Sequence, residues 1–280
     1  VDRLWLKHYQ QGIPHEINID EYTSLVELFD KTCQKHQHEI AYINMGCELT
    51  YHEVDVLSMK FAAYLQQLGL AKGARIAIML PNLLQYPIAL FGILRAGYIV
   101  VNTNPLYTCD EIIHQLNDAS ADAIIVLANF AHTVQQALPK MPSVKHVIVT
   151  ELADLFPCIK RLLVNSVVKY LKKMVPNFTI TGAVSFKKAL SIGSKHTFQS
   201  VALNHQDIAF LQYTGGTTGI AKGAILTHGN MVANVLQASA WINPISLGEK
   251  DLIITALPLY HIFSLTANCL TFFKAGAKNL

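Results

Sequence analysis

Between Gly73 and Val149 the chain alternates short apolar runs with amphipathic stretches, and this rhythm restricts its fold more than any other feature. The pattern predicts buried strands over 74–80, 98–101, 123–127 and 145–149, separated by helices over 83–96, 109–119 and 130–138. Strands and helices that alternate in this way build an α/β architecture of layered βαβ units around a largely parallel sheet. The rhythm resumes at Asp207, with strands predicted over 207–213, 223–226 and 252–257 and helices over 231–240 and 265–275.

Capping chemistry marks the helix starts. Ser24 with Glu27, Thr50 with Glu53, and Thr108 with Glu111 each have the spacing of a capping box. In that motif the hydroxyl accepts from the N3 amide and the carboxylate returns to the cap amide. The first box opens a helix running to about His36. The second opens one with Val54, Leu57, Phe61, Leu65 and Leu68 on a core-facing stripe, which ends at Gly69.

Composition narrows the class further. The chain has 280 residues, 51% of them hydrophobic and 15% charged, which excludes an intrinsically disordered protein. The longest apolar stretch, 83–101, is interrupted by Gln85, Pro87 and Arg95, so it reads as a buried helix and strand rather than a membrane span. A net charge of +3 is too small to predict a nucleic-acid partner. Cys33, Cys47, Cys109, Cys158 and Cys269 are widely spaced without a CxxC pair, which argues against a disulfide framework or zinc site and fits a reducing cytoplasm. His36 and His38 read as solvated surface residues rather than metal ligands. The first residues lack a signal-peptide pattern, and both ends read as cut, so the expectation is a fragment.

Residues 151–177 break the rhythm. Leu162, Leu163, Val164, Val167, Val168, Leu171, Met174 and Val175 are set among Lys160, Arg161, Lys169, Lys172 and Lys173. This pattern predicts a basic amphipathic helix, with 152–175 lying on a membrane surface and its lysines toward anionic head groups. An ordinary surface helix with solvated lysines is the other reading.

The most informative stretch is Tyr213-Thr214-Gly215-Gly216-Thr217-Thr218-Gly219-Ile220-Ala221-Lys222-Gly223, set between two apolar strands. Glycines let backbone amides converge on an anion, threonines add hydroxyl donors, and the lysine adds a positive charge. It has the composition of a polyphosphate cradle, against the simpler reading of a flexible Gly/Thr turn. It is not a Walker A loop, because Ile220 or Ala221 stands where that motif requires glycine.

The stretch 213–223 resembles the phosphate-binding signature of the acyl-adenylate-forming superfamily. The flanks 207–212 and 224–231 and the segment Leu257-Pro258-Leu259-Tyr260-His261-Ile262-Phe263 are similar to those of its bacterial long-chain fatty-acid–CoA ligases. So are 49–51, 79–82 and 97–108, although Cys109-Asp110 stands where the family commonly has Pro-Arg. The insert at 151–177 also resembles one in those enzymes, which strengthens the membrane-surface reading.

The resemblance implies a truncated N-terminal part of an AMP-binding domain spanning 1–280. Its subregions would be 1–150, a first α/β subdomain; 151–177, the basic insert; and 178–280, the phosphate-loop region with the start of a second subdomain. It implies two steps: a fatty carboxylate attacks the α-phosphorus of ATP to give acyl-AMP and pyrophosphate, and coenzyme A then displaces AMP. Thr214, Gly215, Gly216, Thr217, Thr218, Gly219 and Lys222 would hold the β- and γ-phosphates, with Thr217 or Thr218 helping to order Mg²⁺. His261 would border the acyl and nucleotide pockets, unless it is a hydrogen-bonded core histidine. Other catalytic groups are expected beyond residue 280, so this part alone is expected to be inactive. The implied location is the cytoplasm, peripherally on the inner face of the membrane; oligomeric state is left open. A fatty-acyl-AMP ligase, an aromatic-acid–CoA ligase and a non-catalytic nucleotide- or lipid-binding module remain as alternatives.

Overall fold

The computed structural model describes residues 3–214, 221–242 and 251–280. In chain order they form α1 (Leu25–Lys35), β1 (Ile40–Asn44), β2 (Cys47–Thr50), α2 (Tyr51–Gln66), β3 (Arg75–Met79), α3 (Gln85–Arg95) and β4 (Ile99–Asn102). These are followed by α4 (Cys109–Asp118), β5 (Ala123–Leu127), α5 (Ala131–Ala137), β6 (His146–Thr150), α6 (Cys158–Ser166), β7 (Val184–Ser185) and α7 (Phe186–Gly193). The last are β8 (Ile208–Thr214), β9 (Lys222–Thr227), α8 (His228–Ile242), β10 (Leu252–Ile253), α9 (Ile262–Ser264) and β11 (Lys278–Asn279).

Among the described residues the main sheet runs β7-β6-β5-β3-β4-β8-β9, parallel throughout except for β9. The expected α/β architecture is therefore present. Every residue of β4 and β5 is buried, because helices cover both faces of the parallel sheet. A smaller sheet, β10-β11-β1-β2, joins distant parts of the chain by pairing Tyr42 with Asn279.

Helix α3 is buried along its whole length, and Arg95 at its end is only 4% exposed. Its guanidinium bonds Asp30 and Asp55, the Asp55 carbonyl at 2.8 Å and Ser58 Oγ at 3.0 Å. It also lies 4.7 Å over the Phe29 ring. The charge that interrupts the apolar run is thus solvated by protein groups.

Two capping boxes form as expected, at Thr50–Glu53 and Thr108–Glu111. The third forms by half. Ser24 Oγ accepts from the Glu27 amide, but Glu27 Oε2 accepts at 2.7 Å from both the amide and hydroxyl of Thr23. Thr23 offers two donors where the Ser24 amide offers one. Lys31 and these Thr23 donors lower the Glu27 pKa to about 2.

Other departures have similarly local causes. The strand expected over 252–257 shortens to Leu252–Ile253, because the Asn82 side chain takes the carbonyls of Thr255 and Leu257. The helix expected over 265–275 begins as α9 and continues through Leu265–Phe272 with wider π-helical turns. His36 is buried, not solvated: it caps α1 and packs 5.6 Å from the Tyr51 ring. The hairpin β1–β2 was not expected; its turn places Met45 and Gly46 at positive φ, where only the glycine signals a turn.

The insert forms α6, extended by a π-helical segment over Val167–Leu171. Its apolar side faces outward, with Ile159, Leu163 and Leu171 each more than 60% exposed. Among the described residues no helix is long and apolar enough to cross a membrane.

Candidate functional site

Because β3, β4 and β8 are parallel neighbours, their carboxyl ends reach one edge of the sheet, where ligands of open α/β folds bind. Strand β9 returns antiparallel from that edge, in a register that places Thr214 opposite Lys222 and Tyr213 opposite Gly223. The two ends of the expected phosphate cradle therefore meet as exposed cross-strand partners. Gly215, Gly216, Thr217, Thr218 and Gly219 lie outside the described residues.

Helix α4 braces both arms of this hairpin. The Tyr213 hydroxyl donates to Asp118 Oδ2, and His114 Nε2 lies 3.3 Å from the Ala221 carbonyl. Burial, then the hydrogen bond to Asp118, raises the Tyr213 pKa, so the phenol stays protonated and keeps donating. The Tyr213 ring covers Gly223 so closely that a Cβ there would stand 2.9 Å from Tyr213 Cζ. The glycine that closes the motif makes room for this ring.

A second set of contacts fastens the segment before His261 to the same edge. Asn82 Nδ2 donates at 2.9 Å to the carbonyls of both Thr255 and Leu257, and its Oδ1 accepts from the Leu259 amide at 2.8 Å. The Tyr86 hydroxyl lies 2.8 Å from each of its two acceptors, Asn102 Oδ1 and the Leu259 carbonyl. Asn102 Nδ2 donates to Gln212 Oε1, and Gln212 Nε2 donates to the Tyr260 carbonyl. Gln115 Nε2 holds the Asn102 carbonyl from below at 2.8 Å. Asn102 and Gln212 pair with each other and with their neighbours, while Gln115 Oε1 stays buried without a partner, so the paired amides favour a single arrangement of this part of the edge.

His261 follows this clamp. It is exposed and serves as N-cap of α9, its Nδ1 accepting from the Phe263 amide at 3.4 Å. This exposure does not fit the alternative of a core histidine: the clamp takes Leu259 into the core and leaves the imidazole exposed. The clamp residues were not singled out from sequence. Their signal is that Asn82, Asn102 and Gln212 each interrupt or follow an apolar strand run at its carboxyl end.

At this edge Lys222 presents an exposed cation. Among the described residues no group of three His, Cys, Asp or Glu side chains could hold a metal ion. Burial pushes the Cys269 thiol up to about 12 and raises Cys33 as well, so neither supplies a thiolate.

Comparison with known proteins agrees with this geometry. The AMP-binding enzyme family model matches residues 29–280. The long-chain-fatty-acid–CoA ligase of Escherichia coli O157:H7 is 52% identical over the whole chain, which spans 50% of that protein. The 4-coumarate–CoA ligase 1 of Petroselinum crispum is 30% identical over 84% of the chain and 38% of its own length. The crystal structure of a long-chain-fatty-acid–CoA ligase from Archaeoglobus fulgidus superposes with a TM-score of 0.75 at 23% identity, covering 97% of this chain and 49% of that one. The chain thus spans about half the length of the two long-chain-fatty-acid–CoA ligases. With the family model covering nearly the whole chain and the hairpin set at the carboxyl edge of its parallel sheet, the chain belongs to the AMP-binding enzyme family.

Proposed function

We propose that the protein to which this chain contributes activates long-chain fatty acids in two steps. The fatty carboxylate attacks the α-phosphorus of ATP, forming the acyl–phosphate bond of acyl-AMP as pyrophosphate leaves. The thiol sulfur of coenzyme A then attacks the acyl carbon, AMP leaves, and the thiol proton is released. The pairing of Thr214 with Lys222 at the sheet edge carries this reading, because it presents a hydroxyl and a cation on either side of the Gly/Thr loop.

In this reading Thr214, Gly215, Gly216, Thr217, Thr218, Gly219 and Lys222 hold the β- and γ-phosphates. Donors and a fixed cation that meet the leaving pyrophosphate lower the barrier of the first step by charge stabilisation. Mg²⁺ bound with the phosphates would supply charge neutralisation; among the described residues no carboxylate cluster would hold it by itself. Thr217 or Thr218 adds a hydroxyl, and His261 borders the acyl pocket. The chain then corresponds to the N-terminal part of the adenylation domain, with 1–150, 151–177 and 178–280 as its subregions. Residues 152–175 rest peripherally on the inner face of the membrane, supported by the outward apolar side of α6.

The test is ATP–pyrophosphate exchange by the full-length protein across a fatty-acid chain-length series, with aromatic acids alongside. Exchange that rises with chain length and falls about a hundredfold in Lys222→Ala is expected. Exchange unaffected by Lys222→Ala would remove the cradle assignment, and preference for aromatic acids would redirect the substrate reading.

A further inference from the structure

A cavity of about 640 Å³ opens between α6, the carboxyl end of β6 and the start of α7. Three cations line it: Arg161 and Lys169 from the insert and Lys187 from the first turn of α7. None of the three makes a salt bridge among the described residues. Arg161 reaches only Cys158 Sγ at 3.4 Å, and Lys169 lies 5.5 Å over the Tyr170 ring. The two carboxylates on the wall already have partners. Glu151 Oε2 accepts from Asn165 Nδ2 at 2.8 Å, while Asp154 Oδ2 accepts from Thr150 Oγ1 and the Glu151 amide at 2.9 Å.

The helical spacing makes this arrangement directional. Arg161, Asn165 and Lys169 recur every four residues and line the cavity. Ile159, Leu163 and Leu171 are exposed on the same segment, outside the cavity lining. A surface that buries this apolar stripe would bring its first polar layer to the cavity mouth, where the three cations and the N-terminus of α7 gather.

We propose that this cavity binds the phosphate-bearing head group of an anionic phospholipid while the apolar stripe enters the acyl boundary. The inference rests on the membrane-surface reading of the insert and assigns it a specific recognition site. Arg161 supplies a planar donor fork suited to phosphate, and Lys187 lines the same cavity from a different element. That second element separates a built pocket from a row of solvated lysines on one helix.

Vesicle co-sedimentation of the full-length protein tests it, using phosphatidylcholine alone and with added phosphatidylglycerol. The expected result is tighter binding to the anionic vesicles, weakened about fivefold by Lys187→Gln alone and about thirtyfold by Arg161→Gln with Lys187→Gln. Binding to neutral vesicles should not change in either variant. Leu163→Ser with Leu171→Ser should weaken binding to both vesicle types. Soluble glycerol phosphate should lower the anionic preference of the unmodified protein and have no effect on the Arg161→Gln, Lys187→Gln protein. If that double variant keeps the full preference for phosphatidylglycerol, the head-group site is overturned while the membrane reading survives. If the unmodified protein binds neither vesicle, both are overturned. Circular dichroism of each variant separates loss of binding from loss of fold.

Discussion

Gln212 Nε2 donates to the Tyr260 carbonyl at 3.0 Å, which ties the strand entering the Gly/Thr loop to the turn that presents His261. Two segments almost fifty residues apart are thereby held on one sheet edge, and the same amide reaches Asn102 on the neighbouring strand. Gln212→Leu breaks both links and leaves Asn102 Nδ2 and the Tyr260 carbonyl unpaired. A loss of roughly 2 kcal/mol in urea denaturation is expected. On the proposed fatty-acid activation, KM of the full-length protein for the fatty acid should rise more than KM for ATP. Equal rises in both would show that the clamp positions no particular wall of the acyl pocket.

Gly223→Ala tests the close approach of the hairpin arms. The added methyl meets the Tyr213 ring, which Asp118 holds in place, at an expected cost of about 1–3 kcal/mol. In a Tyr213→Ala background the same substitution should cost far less. A double-mutant cycle measures the difference, and additive effects would contradict the contact.

Arg95→Ala leaves Asp30 and Asp55 facing each other without their shared cation. Arg95 is buried but both carboxylates are partly exposed, so water screens part of their repulsion and a loss of roughly 2 kcal/mol, read as a lower unfolding midpoint, is expected. Arg95→Met with Asp30→Asn and Asp55→Asn should recover much of it. Failure to recover would place the importance of Arg95 in its packing over Phe29.

His228 adds a pH dependence. Its Nδ1 accepts from the Leu25 amide at 3.2 Å, and burial lowers its pKa to about 4 from an ordinary value of 6.5. The unfolded chain therefore binds a proton here before the folded one does. The contribution is complete above about pH 6.5 and is lost as pH falls toward 4, amounting to roughly 3 kcal/mol. Denaturation midpoints measured across this window should fall with acid, and His228→Asn, which keeps an acceptor without the titration, should flatten the slope.

Much of the framework was legible in local sequence. Strands β3 to β6 follow apolar runs, and α2 and α4 begin where Thr50 and Thr108 can pair reciprocally with Glu53 and Glu111. The Gly/Thr stretch stands out in the sequence because its donor residues are consecutive, but Gly215, Gly216, Thr217, Thr218 and Gly219 lie outside the described residues. The clamp was not legible in this way. Tyr86, Asn102 and Gln212 sit on α3, β4 and β8, and Asn82 on the connection between β3 and α3, and each is individually an ordinary polar or aromatic residue.

The sequence by itself determined the α/β class, the places where helices begin and the family to which the chain belongs, because periodicity, capping and motif spacing act over a few neighbouring residues. Only the tertiary structure decided that Thr214 stands opposite Lys222, that His261 is exposed at the start of α9, and that Arg161 and Lys187 line one cavity. Those relations depend on strand order and on which buried polar groups find partners. Such partners are supplied by residues far away in the chain, so no local pattern encodes them.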